Sequence, residues 1–229
     1  FSLLGGTTKQ PRFRFPDLPE APHSAKLRAE REVLGLFLTG HPMEVRGQDV
    51  QRFATAGIGE LGPDHHDQEV RLVGLPSEVK TVRTRRGDRM AFVQLESVDA
   101  RIEVVFFSGP WARSQRVVEG DEPVLVTGRV ESKEGEVKLL ASSAESLGEV
   151  RTRSTREVTF TLRVDELDPR ALGRLQRILQ DNPGPCPARL VIEVPGAYQV
   201  HLGLPELAID PGFGLEEASL SLFGRADAV

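Results

Sequence analysis

The feature that most constrains this chain is a change in the spacing of its apolar residues at Glu69. From there apolar and polar residues alternate, and a turn signal interrupts the alternation at residues 85–88. Alternation with a period of two places every second side chain on one face of a strand. The pattern predicts five strands, over residues 69–82, 90–95, 102–107, 124–130 and 137–140.

The third and fourth of these strands are separated by a longer connection, residues 108–120, and the other connections are short. This is the order of an OB-fold, a partly open Greek-key barrel of five strands. A β-sandwich is the alternative, but it usually needs about seven strands. We therefore predict an OB-fold domain over residues 69–148.

The segments before the barrel differ from it in composition. Residues 1–22 are rich in proline and glycine, which favours a linker. Residues 23–68 begin with a predicted helix over His23–Leu38, which Ser24 can cap and Gly40-His41-Pro42 ends. We interpret this segment as a helical connector.

The segment after the barrel, residues 149–229, predicts a small α+β domain. A strand over Val158–Leu162 precedes a helix that Asp168 caps and Pro169 begins. We expect the buried stripe of this helix to be Leu172, Leu175, Ile178 and Leu179. Two strand patterns follow, at 190–194 and 198–202. The predicted fold class is therefore multidomain, mainly β plus α+β.

Composition limits the functions open to this chain. The net charge is −5, so any contact with nucleic acid must come from a local basic patch. Cys186 is the single cysteine, which excludes an internal disulfide and fits a reducing, cytoplasmic location. No apolar run approaches the roughly 20 residues of a membrane-spanning helix, so we expect no membrane contact. The first residue is Phe1, which suggests a piece of a longer chain.

The first predicted hairpin carries the strongest local signal for binding. Its loop flanks the binding face of an OB-fold, and guanidinium groups match phosphate oxygens in a bidentate way. A solvated basic turn is the competing interpretation. The predicted phosphate contacts are Lys80, Arg83, Arg85, Arg86 and Arg89.

Aromatic residues on the barrel could provide surfaces on which bases stack. The candidates are Phe92, Phe106, Phe107 and Trp111, although each aromatic residue is also a candidate for the core. Because Phe106 and Phe107 are adjacent on a strand, one should be buried and the other exposed. Further contacts are predicted near the last hairpin, with a salt-bridged surface as the alternative: Arg129, Lys133 and Lys138.

The search for a catalytic site is negative. His65 and His66 lie among acidic residues, but the segment is a polar loop and favours a solvated linker over a metal site. The chain has no P-loop, no H-E-x-x-H and no G-x-S-x-G motif. We predict no catalytic residue, no metal site and no cofactor on this segment.

Four sequence segments carry a family resemblance. Glu32–Pro42 reads EVLGLFLTGHP, Arg86–Val93 reads RGDRMAFV, Ile102–Phe106 reads IEVVF and Val124–Val130 reads VLVTGRV. Together they resemble the bacterial DNA polymerase III alpha subunit of the DnaE type, most strongly over residues 25–147. Ser97-Val98-Asp99 departs from the two acidic residues and glycine that this family commonly has at that turn.

The resemblance implies a set of roles. The family's catalytic acidic residues and their magnesium ions lie in an upstream palm domain, so this segment should lack polymerase activity of its own. The OB domain is associated with the single-stranded template, and the C-terminal domain, here 149–229, with the tau subunit of the clamp loader. Many members also carry a short peptide that binds the sliding clamp. It lies before the Gly-His-Pro segment.

Two segments are candidates for that clamp-binding peptide. The first, which has the family's placement, is Phe1, Ser2, Leu3 and Leu4. The alternative lies near the C-terminus, where a packed final helix is the competing interpretation: Leu220, Ser221, Leu222 and Phe223. We favour the first.

The sequence thus predicts a non-catalytic C-terminal segment of a replicative polymerase that holds single-stranded DNA and tethers the enzyme to the clamp and to tau. Two alternatives stay open. One is a free-standing OB-fold module that binds nucleic acid. The other is a barrel that binds protein and makes no DNA contact.

Overall fold

The computed structural model of this chain describes the backbone of residues 21, 23–164 and 169–223. Side chains are described for residues 21, 25–164 and 170–219. Within these residues the fold has the three predicted parts: a helical connector, a five-stranded OB-fold barrel and an α+β unit. The predicted fold class is confirmed. The exact division into domains stays a prediction.

The connector contains helix α1 (His23–Leu34) and helix α2 (Gly47–Phe53), with three short 3-10 turns around and after α2. The predicted helix to Leu38 is too long, because Gly35 adopts a φ of 73° and its N–H donates to the carbonyl of Arg31 at 3.0 Å. Glycine in this left-handed conformation ends a helix. Leu38 is therefore exposed instead of packing on a helix face.

The barrel is closed, with strand order β1-β2-β3-β5-β4. Helix α3 (Ser108–Val118) connects β3 to β4. The five strands are β1 (Glu69–Arg83), β2 (Arg89–Glu96), β3 (Arg101–Phe106), β4 (Val124–Lys133) and β5 (Glu136–Ser146). The structure thus has the five strands that the alternation predicted, and they form the predicted OB-fold.

The barrel interior is apolar and α3 closes one end of it. Phe106 and Trp111 meet edge to face with ring centroids 5.9 Å apart, and both side chains are buried. Leu72, Leu95 and Val104, from three strands, complete the centre of this core. Burial of such large side chains contributes about 1.5–3 kcal/mol each.

The connector covers part of the outside of the barrel. Met43 and Phe53 pack on Val73 and Leu125, which point outward from β1 and β4. Arg31 of α1 donates Nη2 hydrogen bonds to the carbonyls of Pro76 at 2.8 Å and Ser77 at 3.0 Å, where β1 bulges. The connector therefore covers the β1–β4 side with Met43 and Phe53, and its Ile58 also packs in the barrel core with side chains of β2 and β3.

The unit that follows the barrel begins with helix α4 (Leu147–Ser154), which the sequence analysis missed. Its sheet has the order β6-β7-β8, with β6 parallel and β8 antiparallel to β7. The elements are β6 (Val158–Arg163), α5 (Pro169–Asp181), β7 (Pro183–Val194), β8 (Tyr198–Ile209) and α6 (Phe213–Phe223).

The core of this unit lies between its sheet and its helices. Leu175 and Leu179 of α5 are buried against Phe160 and Leu162 of β6, as the helical stripe predicted. Leu172 is 44% exposed, so its predicted place in the stripe is wrong. It lies on the first turns of α5, away from the residues that pack on the sheet.

A buried ionic cluster joins the connector, α4 and α6. Arg151 Nη1 lies 3.1 Å from Asp49 Oδ2 and 2.8 Å from Glu216 Oε2. Arg46 also pairs with Glu216, and its guanidinium carbon lies 3.9 Å from the ring centroid of Phe213. Burial raises the pKa of Asp49 although the two arginines act in the opposite direction.

Candidate nucleic-acid interface

The hairpin between β1 and β2 forms a basic tip, which we define as Lys80, Arg83, Arg85, Arg86 and Arg89. Its turn is held by two hydrogen bonds, from Thr84 N to Asp88 O at 2.8 Å and from Gly87 N to Thr84 O at 2.9 Å. Gly87 has a φ of 88°, a conformation that favours glycine. The cations of the basic tip therefore lie on and beside a turn of defined conformation.

All five cations of the basic tip are exposed. Among the residues that the structure describes, none of the five has a carboxylate partner within 4 Å. Unpaired guanidinium and ammonium groups lose no existing ion pair when a phosphate binds them. The basic tip is therefore available to an anionic ligand.

The strand register shows on which side of the hairpin three cations of the basic tip lie. Lys80 lies opposite Phe92, and Val82 lies opposite Met90, on the outer face of the barrel. Arg83 lies opposite Arg89, one residue further along, so this pair points to the other side of the hairpin. The tip thus carries positive charge on both of its sides.

A row of side chains crosses the outer face of the barrel at the level of Lys80. It runs through Phe92 of β2, Val105 of β3 and Leu140 of β5 to Arg129 of β4. Phe92 is partly buried. Val105 points outward but is only 6% exposed. The middle of this face is thus an apolar strip with a cation at each end.

Two of the predicted stacking residues are wrong. Phe106 is 0% exposed and Trp111 is 2% exposed, because both rings fill the barrel interior. A base could reach either ring only if the barrel opened. Phe107, the neighbour of Phe106, is 50% exposed, so the prediction that one of the pair is buried and the other exposed is confirmed.

The cations near the last hairpin form ion pairs with carboxylates, as the alternative interpretation of a salt-bridged surface predicted. Lys133 Nζ lies 2.7 Å from Glu131, and Lys138 Nζ lies 3.0 Å from Glu103 and 3.2 Å from Glu136. The hydrogen bond to Glu103 is the main reason that the pKa of Lys138 is raised.

Arg129 Nη1 is 3.9 Å from Asp67 Oδ1. These ion pairs agree with the salt-bridged surface that was the alternative interpretation, and a DNA contact by these three cations stays a prediction. A phosphate there would have to compete with a carboxylate at each of the three cations, Lys133, Lys138 and Arg129.

The end of the face away from the basic tip is acidic, which sequence reasoning did not anticipate. A second outer row runs through Glu78, Gln94, Glu103, Lys138 and Glu131. The β4–β5 turn adds Glu134 and Glu136, which are exposed. Carboxylates therefore outnumber cations at this end of the face, whereas cations predominate at the basic tip.

A cavity of about 650 Å³ lies away from this face. It is lined by residues of α2, α4 and α6, including Asp49, Arg52, Arg151 and Glu216. Within the ranges that the structure describes, no three His, Cys, Asp or Glu side chains are grouped so as to hold a metal ion. The interface is thus an open surface.

Comparison with known proteins identifies the family to which this chain is similar. A model described as an OB-fold nucleic acid binding domain matches residues 70–147, which are the barrel. DNA polymerase III subunit alpha of Pseudomonas aeruginosa is 32% identical over 202 residues, 87% of this chain and 17% of the relative. The chain corresponds to the C-terminal region of a DnaE-type alpha subunit.

Other alpha subunits match over a similar extent. That of Vibrio cholerae is 26% identical over 86% of this chain, and that of Deinococcus radiodurans is 29% identical over 91%. The matches cover 16–17% of these relatives, so this alpha-subunit region spans about a sixth of their length. The family resemblance of the sequence is confirmed.

Both predicted clamp-binding segments fall outside what the structure describes. Phe1–Leu4 precede the first described residue, and the side chains of 220–223 are not described, although their backbone is part of α6. No helix among the described residues is long and apolar enough to cross a membrane.

Proposed function

We propose that this alpha-subunit region is a non-catalytic module of a replicative DNA polymerase, and that its barrel holds single-stranded template DNA. The basic tip binds phosphates, and the outer face between β1 and β3 receives the unpaired strand. The whole polymerase performs nucleotidyl transfer with magnesium at a site elsewhere in the chain, and it does so in the cytoplasm.

The observation that carries this proposal is a cluster of five cations without a carboxylate partner beside the apolar strip of Phe92, Val105 and Leu140. Arginine binds phosphate oxygens through fixed pairs of donors, and an aromatic face accepts any base. Phe92 lies directly opposite Lys80, so one nucleotide can contact a ring and an ammonium group together. Binding of this kind does not depend on sequence, as a template-holding site requires.

The remaining partners are part of the same proposal. The peptide Phe1–Leu4 reaches the sliding clamp, and the unit after the barrel reaches the tau subunit of the clamp loader. The similarity to DNA polymerase III alpha subunits supports both roles. Several weak contacts on one chain raise the effective concentration of each partner, which prolongs residence on DNA.

Simultaneous replacement of Arg83, Arg85 and Arg86 by Ala tests the DNA proposal. Affinity for an oligo-dT strand is measured by fluorescence anisotropy across a range of salt concentrations. Removal of three phosphate contacts should weaken binding and reduce the slope of log K against log salt by about 2, at about 0.7 per contact.

The matched control is the replacement of Arg170, Arg174 and Arg177, three exposed arginines of α5, by Ala. Its change in net charge is the same, but these residues lie on the other unit, so the slope should stay near that of the unmodified chain. Equal slopes for the two triple variants would remove the basic tip from the mechanism.

A protein-binding barrel is the second candidate function, and the acidic end of the face favours it. In that case a neighbouring domain or partner would occupy the outer face and no nucleic acid would bind. The same titration decides between the two. An absence of oligo-dT binding even at low salt would support the protein-binding barrel.

A further inference from the structure

We propose that Phe107 and Arg113, at the junction of β3 and α3, form a second contact point for the single strand. This inference rests on the proposed function and extends it. Phe107 stacks on a base and Arg113 binds an adjacent phosphate. The strand therefore crosses the barrel at the end of the face near the basic tip.

The strand register places Phe107 on the outer face. Phe106 lies opposite Ala91 of β2 and beside Ala141 of β5, and all three point into the barrel. The next residue, Phe107, continues in extended conformation after the last paired residue of β3, so its side chain turns to the outside, where it is 50% exposed. It lies one row closer to the basic tip than Phe92.

Phe107 has no evident role in the fold. It occupies the N-cap position of α3, where Ser, Thr, Asp or Asn is preferred, and its side chain makes no capping hydrogen bond. Half of the side chain is exposed. An exposed aromatic ring offers a flat apolar surface on which a base can stack.

Arg113 lies on α3, close to β5. Its Nη2 donates a hydrogen bond of 3.4 Å to the carbonyl of Ser142, which follows Ala141 on β5. Its Nη1 lies 3.9 Å from the position that a Cβ on Gly109 would take. The side chain therefore folds back along α3 toward the start of the helix, where Phe107 is.

The guanidinium group of Arg113 is free to bind an anion. The residue is exposed, and in the described part of the chain no carboxylate lies within 4 Å of it. Ser142 occupies one donor at most, so the remaining N–H groups can bind a phosphate. Arg113 thus adds a sixth unpaired cation at the same end of the face.

Charge along the face excludes the opposite route. A strand that crossed near the β4–β5 turn would bring its phosphates close to Glu131, Glu134 and Glu136, while the nearby lysines are already paired. A strand that passes the basic tip and Phe107 meets cations and apolar surface instead. The two candidate paths differ in sign of charge, and the phosphate backbone favours the positive one.

The test uses the full 229-residue chain and labelled oligo-dT. Phe107→Ala should weaken binding about 5- to 150-fold, the loss expected for one stacked base. Phe107→Trp should retain the affinity, since it keeps a stacking surface. Val98→Ala, which shortens another exposed apolar side chain on the barrel, is the control and should have no effect.

Arg113→Ala should reduce the salt slope by about 0.7, and Arg113→Lys should retain most of it. Arg116→Ala, one turn further along α3 and equally exposed, is the matched control. The inference is overturned if Phe107→Ala and Arg113→Ala bind like the unmodified chain while the triple variant of the tip is weakened. If the unmodified chain itself binds no oligo-dT, the proposed function fails as well.

Discussion

Replacement of Arg151 by Ala is expected to destabilise the fold far more than replacement of another arginine two residues away. Arg151 contacts the carboxylates of both Asp49 and Glu216, and the three side chains are 15%, 10% and 12% exposed. Removal of one partner from a buried ionic cluster typically costs 3–5 kcal/mol, because the other charges are left without compensation.

Arg46 remains next to Glu216 and within 3.9 Å of Asp49 in this variant, so the lower end of that range applies, about 3 kcal/mol. With a urea dependence of about 2–3 kcal/mol per molar for a chain of this size, the unfolding midpoint should fall by about 1 M. The assay is urea unfolding followed by circular dichroism.

Arg153→Ala is the matched control on the same helix. Its guanidinium lies 2.8 Å from Glu145, but the two side chains are 64% and 43% exposed. Water and salt screen such a pair, so its loss should leave the unfolding midpoint nearly unchanged. Equal midpoints for the Arg151 and Arg153 variants would refute the reasoning that burial makes the cluster energetically important.

Two further predictions concern the barrel and the connector. Gly128→Ala should destabilise the chain by about 1–3 kcal/mol, since the new Cβ would lie 2.6 Å from the carbonyl oxygen of Leu140. Gly203→Ala, where nothing lies within 4 Å, should change the free energy of urea unfolding by less than about 0.5 kcal/mol, and an equal cost at both would contradict the account. Burial lowers the pKa of His41 below its usual value of 6.5. Below pH 6.5 the unfolded chain therefore binds a proton that the folded chain does not. The free energy of unfolding should fall as the pH falls from 6.5 toward the lowered pKa. His41→Asn keeps an acceptor for the Met43 N–H and should lose this part of the pH dependence. If the variant and the unmodified chain show the same dependence of unfolding free energy on pH between 7.5 and 5.5, the role of His41 is contradicted.

The sequence could predict the barrel because alternation is a local property. Each strand carries its own apolar face, and glycine and charged residues mark the turns. Helix α4 was missed because its segment is mostly polar, and only Leu147 and Val150 are buried. Its helical form depends on packing against the connector, which no local pattern records.

The candidate site was predicted in part for the same reason. The basic tip is one continuous segment, so its charge is visible in the sequence. Which of Phe106 and Phe107 is buried depends on the register of β3 against β2, which pairs Phe106 with Ala91. The ion pair between Lys138 and Glu103 joins parallel strands whose alignment the sequence does not reveal. Long-range register therefore decided the outcome for Phe106 and for Lys138.

The most direct test of the central claim is amide hydrogen exchange of the full chain with and without saturating oligo-dT at low salt. The account predicts slower exchange at residues 80–92 and around Phe107, and no change at residues 131–138. Protection confined to the β4–β5 hairpin, or no protection anywhere on the barrel, would contradict it.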